Sequence, residues 1–495
     1  MRPHVIVIGS GAAGAALAHR LTTDPDMSVL LLEAGHDTRP DAVADPARWP
    51  ETIGSIFDWG YKTVPQAGLN ERVLEYPRGR ILGGTTAVNA MIHSFPTAAD
   101  LEPWGSGWQA SDLDRAAKDL DGHRGSNPGR GTAGPAVNGP VSHPNPLSVA
   151  FVEACVGSGH KRVADLNAED EDGVGWFDLA LTADGRRADA ATAYLKPIAE
   201  RPNLEIRCGV TVERLVLRDG RVQALILTAS DGQKSELATD SVEVVLCAGA
   251  IESPALLLRS GVGPHDQLAQ AGITVHVDLP GVGANLRDHP LVPVVWQSNR
   301  PLDPPRAQYF ETQLVLRHDN RCPDVALGIA FGHFAYGLEG VEHGATASVG
   351  IYGAHSRGSI ELNPEDPFAH PLIDPALLSD PRDRQAARIG VEIIRDVVEN
   401  PALEPFGLVE IRPKETGSEL DEAIAAVTGS YMHPAGTCAL GDGPDSVVGR
   451  DLMVHGLDNL RVADAAVFPT IPSAATSVTA QLVGWRLGEI MTGMR

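Results

Sequence analysis

Cysteine is scarce and scattered in this chain: five in 495 residues, at positions 155, 208, 247, 322 and 438. An odd set with no CxxC pair and no His/Cys cluster argues against a disulfide framework and against a metal site. Basic residues are also short, with 40 Lys and Arg against 64 Asp and Glu, a net charge of −24. Contact with phosphates needs clustered Lys and Arg, so the balance speaks against a nucleic-acid or anionic-membrane partner and reads as a well-solvated acidic surface. No apolar run approaches the ~20 residues that cross a bilayer, and no internal repeat is present. Strand-like sequence starts at His4, which leaves no room for a secretory leader, so the expected compartment is the reducing cytoplasm. The remaining composition, 43% hydrophobic and 21% charged, is that of a globular protein. The length exceeds one core, since domains run at roughly 100–200 residues.

His4–Ile8 is a short β-branched run ending at Gly9, the pattern of a buried parallel strand. Ala12–Leu21 reads as a small-residue helix and Ser28–Leu32 as a second buried strand ending in Glu33. That strand–helix–strand unit implies a parallel sheet under helical cover. Residues 122–146 are loop-like, either a lid or a surface excursion. Leu204–Leu217 and Gln223–Thr228 alternate as hairpin strands about an Asp219-Gly220 turn. Val242–Leu246 is a further buried strand, followed by Ala248, Gly249 and Ala250. Between about 290 and 430 lie strand-like runs (Thr312–Leu316, Val325–Phe331, Ala347–Tyr352) and a helix near Arg384–Glu399. Leu460–Ala463 reads as a strand and Ser477–Met491 as a helix.

The chemistry begins at Gly9-Ser10-Gly11-Ala12-Ala13-Gly14, between a strand and a helix. Gly9 permits the turn, Gly11 lets a pyrophosphate approach the backbone, and Gly14 lets helix and strand pack closely. The helix amino end offers N–H groups and partial positive charge. Glu33, followed by Ala34, ends the next strand, where a carboxylate accepts ribose hydroxyls and repels a 2′-phosphate. This set indicates FAD or NAD rather than NADP. A second glycine turn, Pro77-Arg78-Gly79-Arg80-Ile81-Leu82-Gly83-Gly84-Thr85-Thr86-Ala87-Val88-Asn89, could lie against a pyrophosphate or a flavin where side chains would clash.

That second turn resembles the first signature of the glucose–methanol–choline (GMC) flavin oxidoreductases. Gly249–Gly263 is similar to the second signature, and Gly281–His289 to the Val-Gly-x-Asn-Leu-x-Asp-His element. Ser356-Arg357-Gly358 and Asp380–Asp383 resemble further landmarks, Met432–Cys438 the active-site His-Pro-x-Gly-Thr-Cys segment, and Leu460–Ala465 the closing flavin-contact strand. The resemblance implies an α/β protein with an FAD-binding Rossmann-like domain and a substrate-binding domain built on an antiparallel sheet. It implies FAD-binding parts at 1–145, 201–289 and 431–495, a substrate-domain excursion at 146–200, and the main substrate domain at 290–430. Implied cofactor contacts are Gly9, Ser10, Gly11, Ala12, Ala13, Gly14, Glu33, Ala34, Arg78, Gly83, Gly84, Thr85, Asn89, Val212, Ala248, Asp464 and Ala465. Some members bond FAD through a histidine just before the signature asparagine; Val88 stands there, which implies non-covalent FAD.

The implied reaction is oxidation of a small-molecule alcohol by hydride transfer to flavin N5, with His433 taking the hydroxyl proton. Electrons then pass to oxygen, a quinone or a redox protein. His289 matches a flavin-domain structural residue with no proton-transfer role, and His93, His355 and Cys438 are secondary candidates. The chain departs from the pattern at Pro472-Ser473-Ala474-Ala475-Thr476-Ser477. Where members carry a second His or Asn beside the flavin stands Ser477, either a rebuilt pocket or an alignment slip. Two alternatives stay open: non-redox or light-driven chemistry on the same fold, and a flavin-binding protein without turnover.

Overall fold

The computed structural model describes residues 3–125, 127, 129–167 and 172–493. Five strands form a parallel sheet in the order Leu460–Val462, Glu243–Leu246, Val5–Ile8, Val29–Glu33, Leu204–Cys208. Val5 sits opposite Val29 on one side and Glu243 on the other, so the first strand is central. Its four residues are all buried, as a strand covered on both faces requires. The helix Ala12–Leu21 covers one face, and the last helix, Thr476–Thr492, packs along it.

Leu204–Leu217 does not form the single hairpin strand its alternation predicts. It breaks at Gly209 (φ +71°), where an added Cβ would stand 2.9 Å from the His36 ring. Leu204–Cys208 completes the parallel sheet, and Val210–Arg218 leaves it to pair with Arg221–Ala229 and, beyond it, Lys234–Ala238. The turn is the expected one, with Asp219 at φ 51° and Gly220 at φ 71°.

The second sheet is antiparallel, in the order Leu408–Arg412, Pro290–Ser298, Gly344–Tyr352, Ala326–Gly332, Phe310–Leu316, Gly173–Trp176. Its last strand comes from far upstream. Alternation divides its two faces. Val292, Val294, Leu314, Ile329, Phe331, Ala347 and Val349 join a buried core with the helices Pro146–Gly157 and Pro381–Val398, where Phe151 stacks on Phe331 at 4.6 Å. Leu291, Phe310, Ala330, Ser348 and Tyr352 face the other way, into the main cavity.

Within the 122–146 excursion, positions 126 and 128 lie outside the described residues. The described part is tied down rather than free: Asp121–His123 pairs with Ala136–Asn138, and buried Arg130 donates to Asp121 (2.7 Å) and Asp178 (2.8 Å). No helix among the described residues is long and apolar enough to cross a membrane, and the five cysteines are free thiols.

The last helix approaches the first through Gly484, where a Cβ would meet the Ala13 carbonyl oxygen at 2.1 Å. Backbone against backbone cannot yield without moving one helix. Gly484→Ala is expected to destabilise by about 1–3 kcal/mol, the scale of core overpacking, and to lower flavin retention because Ala13 belongs to the glycine turn. Chemical denaturation together with flavin content after gel filtration checks both effects.

Candidate active site

One cavity of about 340 Å³ runs between the two sheets, from Glu33 and Ala34 at one end to His433 and Ser477 at the other. Every implied site residue lines it except Gly14 and Gly83, which act from behind. A Cβ on Gly14 would stand 2.0 Å from the Gly9 carbonyl oxygen, so Gly14 sets the helix–strand approach as expected. Gly83 donates its N–H to Ser10 Oγ at 3.0 Å.

Ser10 joins three motifs. Its hydroxyl donates to Glu33 Oε2 (2.6 Å) while accepting from Gly83, and its own N–H donates to the same carboxylate oxygen (3.0 Å). Gly35 N–H donates to Glu33 Oε1 at 2.7 Å. Burial pushes the Glu33 pKa above its usual value, opposed by these donors. The second glycine turn leans on the first, for a Cβ on Gly84 (φ +54°) would be 2.8 Å from Gly11 Cα.

The helix Ala12–Leu21 has no side-chain cap at its amino end, and a Cβ on Gly11 would meet nothing within 4 Å. An open glycine facing uncapped N–H groups fits a pyrophosphate. Glu33 at the same end fits a ribose, and Val212, Ala248 and Ala465 line the walls. These residues suit FAD. The Asp464 carboxylate is already engaged, accepting from Gly249 N–H (2.8 Å), Ser253 Oγ (2.6 Å) and Ala466 N–H (2.7 Å). It therefore anchors the start of the helix Gly249–Arg259 as well as bordering the cavity. Asn89 Oδ1 accepts from Met91 N–H and from Arg187, both at 2.9 Å, which leaves Nδ2 as its free donor among the described residues. Arg187, buried and absent from the motif reading, also holds the Asn89 carbonyl at 2.6 Å.

At the far end, Met432 adopts φ 63°, a left-handed conformation unusual for its residue type. Its N–H donates to Ser430 Oγ at 2.6 Å, and its carbonyl accepts from Arg78 at 2.5 Å. The turn delivers the ring of His433 to the cavity. His433 stacks on Tyr431 (5.5 Å, 19°) and meets His289 edge-on (5.2 Å, 87°). Its Nδ1 lies 3.0 Å from His289 Nδ1. No described residue bonds Nε2, so Nε2 is the ring nitrogen left for a ligand. Burial and the neighbouring Arg78 cation hold its pKa down to about 3.

Ser477 sits in the first turn of the last helix and borders the cavity, as the motif alignment expects. Its only described partner is Gln481 Nε2, at 3.4 Å. Beneath it a hollow of about 20 Å³, bounded also by His93, Tyr194 and Gln481, has room for about one water. His93 backs this hollow, 3.9 Å from Asp121, and does not reach the main cavity. His355 contacts the Asp324 carbonyl at 3.1 Å, away from the site, and Cys438 is fully buried behind it. Around His433 the lining is aromatic: Phe310, Tyr336, Tyr352 and Tyr431. Gly328 and Gly350 make room for two of these rings, since a Cβ there would be 2.2 Å from Tyr352 and 2.6 Å from Tyr431. No group of His, Cys, Asp and Glu among the described residues could hold a metal.

The profile of GMC oxidoreductase matches residues 4–291 in its N-terminal part and 354–484 in its C-terminal part. The chain belongs to the GMC oxidoreductase family. It is an FAD-dependent enzyme that oxidises alcohols. It is 34% identical to the oxygen-dependent choline dehydrogenase of Escherichia coli K12, over 99% of this chain and 95% of that protein. The structure of pyridoxine 4-oxidase from Mesorbium loti superposes with a TM-score of 0.92 at 32% identity, covering all of both chains. A fungal aryl-alcohol oxidase, 23% identical over 99% of each chain, shares the fold with a TM-score of 0.86.

Because the pKa of His433 is held near 3 rather than 6.5, its neutral form persists as pH falls through the usual imidazole range. It is lost only when pH approaches the lowered value. If flavin reduction by alcohol depends on neutral His433, its rate is expected to hold from pH 8 down through 6.5. A pH series of anaerobic single-turnover reduction checks this, and a half-loss of rate at 6.5 would contradict it.

Proposed function

We propose that this enzyme oxidises a neutral alcohol with an aromatic or apolar body, His433 accepting the hydroxyl proton at Nε2. The observation that carries the reading is an imidazole fixed through Nδ1, with Nε2 open to an aromatic-walled cavity. When bound, FAD supplies the ring that takes the hydride from the alcohol carbon. His433 Nε2 removes the hydroxyl proton as that hydrogen leaves, so the alcohol becomes a carbonyl. Ser477 donates its hydroxyl to the substrate oxygen, and the small hollow beside it holds a water in place of the larger side chain found in relatives. The residues from Gly9 to Gly14, Glu33, Ala34, Arg78, Gly83 to Thr85, Asn89, Val212, Ala248, Asp464 and Ala465 hold FAD without a covalent bond, Val88 offering no nucleophile. On this assignment 1–145, 201–289 and 431–495 serve the cofactor, and 146–200 and 290–430 serve the substrate.

Charge supports the substrate class. Among the described residues, the carboxylates bordering the cavity are Glu33, Asp58, Glu252 and Asp464. Each is already bound: Asp58 by the Gly60 and Arg78 N–H groups, Glu252 by Tyr61 and Arg259, and the other two as given above. None belongs to the antiparallel sheet that walls the alcohol end, where the nearby fixed charges are the Arg78 cation and the Asp288 carboxylate, the latter taken up by four hydrogen bonds. A cationic head group would find no free carboxylate there and the Arg78 cation close by, whereas a flat neutral ring would stack on the aromatic walls without that repulsion. The 32% identical structure named pyridoxine 4-oxidase is compatible with this class.

Single-turnover reduction of the FAD-loaded enzyme tests the roles. His433→Ala is expected to keep FAD and slow reduction roughly 10²–10⁴-fold, about 3–5 kcal/mol of transition-state stabilisation. Ser477→Ala is expected to lose roughly 5–30-fold, the scale of one neutral hydrogen bond. A near wild-type rate in His433→Ala would move the base elsewhere.

A further inference from the structure

The Gly281–His289 motif reads from sequence as scaffolding, yet it delivers a second imidazole to the first. His289 and His433 are 144 positions apart, and their Nδ1 atoms are 3.0 Å apart, a hydrogen-bond distance. One carboxylate fixes both backbones: Asp288 Oδ1 accepts from His289 N–H (2.7 Å) and His433 N–H (2.9 Å). Its Oδ2 accepts from the hydroxyls of Tyr76 and Ser430. Asp288 is therefore fully engaged and bonds neither imidazole ring. Arg78, on the other side of His433, has only donors. The role that a carboxylate commonly plays behind a catalytic histidine falls here to a neutral ring.

We propose that His289 is a positioning residue that fixes the tautomer of His433, keeping its proton on Nδ1 and its lone pair on Nε2. This rests on the reading of His433 as the base. Two Nδ1 atoms at hydrogen-bond distance share one proton, so one ring must donate and the other accept. The surroundings of His289 decide which. Its Nε2 is buried without a full hydrogen-bond partner among the described residues, beside the Pro472 carbonyl, which favours a proton on that ring. A carbonyl can only accept, so the proton of His289 resides on Nε2 and its Nδ1 is the acceptor. His433 must then donate from Nδ1, which frees Nε2 for the substrate hydroxyl. His289 is completely buried, with the Tyr352 ring packed 4.7 Å from its own, so it cannot turn to present the other nitrogen without displacing that wall. Burial keeps both rings neutral, lowering the pKa of each, which leaves this single-proton arrangement intact at neutral pH. As His433 gains the substrate proton, the same bond becomes charge-assisted and strengthens.

The test compares two substitutions in the FAD-loaded enzyme. Asn places an acceptor oxygen near the position of Nδ1; Leu matches the bulk but accepts nothing. His289→Leu is expected to keep FAD and thermal stability close to wild type and to lower kcat and single-turnover reduction roughly 10–100-fold with little change in KM, the scale of a lost charge-assisted bond. His289→Asn is expected to restore the rate to within about fivefold of wild type, an effect a purely structural role would not produce. Histidine-selective ¹⁵N spectra of the wild-type holoenzyme supply a readout that needs no variant, with His433 protonated at Nδ1 and His289 at Nε2. A wild-type rate in His289→Leu, equal slowing in both variants, or the reverse tautomers would each overturn the proposal. His433→Ala measured alongside separates the two levels. If it is slow while His289→Leu is fast, only the tautomer role fails; if it is fast, the assignment of the base fails.

Discussion

Asp288 holds the reacting end of this enzyme together. A buried carboxylate that accepts two backbone N–H groups and two hydroxyls ties the segment entering the antiparallel sheet to the turn that carries His433 and to Tyr76, near the second glycine turn. The partners come from three parts of the chain, and the shared acceptor, with Ser430 Oγ on the Met432 N–H and Arg78 on the Met432 carbonyl, holds the left-handed turn at Met432 against its intrinsic preference. Burial raises the pKa of Asp288, opposed by its donors and by Arg78. The donors are what make a carboxylate tolerable at that depth. The cost of breaking such a network exceeds that of one hydrogen bond, because each remaining partner is left buried and unsatisfied.

The electrostatics of the cavity differ from those of the surface. The chain carries a net −24, yet the carboxylates bordering the cavity are all bound by donors, and half-buried Arg78 and buried Arg187 stand as cations beside the second glycine turn. A positive field is useful where an alcohol gives up a proton and a hydride, because negative charge develops on the substrate oxygen and on the acceptor. Burial, with the Arg78 cation, keeps His433 neutral. The acidic exterior therefore says little about the substrate; the aromatic wall of the antiparallel sheet says more.

Local sequence carried the first half of the site. Gly9 to Gly14 and Glu33 are legible because strand, turn, helix and strand are consecutive and each glycine answers one steric demand. The Asp219-Gly220 hairpin is legible for the same reason. His433 and Ser477 emerge from motif order, and both border the cavity. The long-range pairings were not legible. Nothing in a Gly-x-Gly-x-Asn-Leu-x-Asp-His stretch says that His289 will meet a ring 144 residues away. Likewise nothing near Arg187 reveals that it holds Asn89. The break at Gly209 was hidden because alternation continues across it on either side, while the glycine turns the chain from one sheet into another. The strand Gly173–Trp176 was missed because half of it is glycine, and its partner, Phe310–Leu316, lies far downstream.

The most direct measurement is anaerobic titration of the yellow holoenzyme with a panel of alcohols, following the oxidised-flavin band near about 450 nm. Hydroxymethyl-pyridines and benzylic alcohols should bleach it stoichiometrically, whereas choline at equal concentration should leave it almost unchanged. A flavin that no alcohol bleaches would contradict alcohol oxidation at His433. Bleaching by choline in preference to every aromatic alcohol would contradict the neutral, aromatic-walled site.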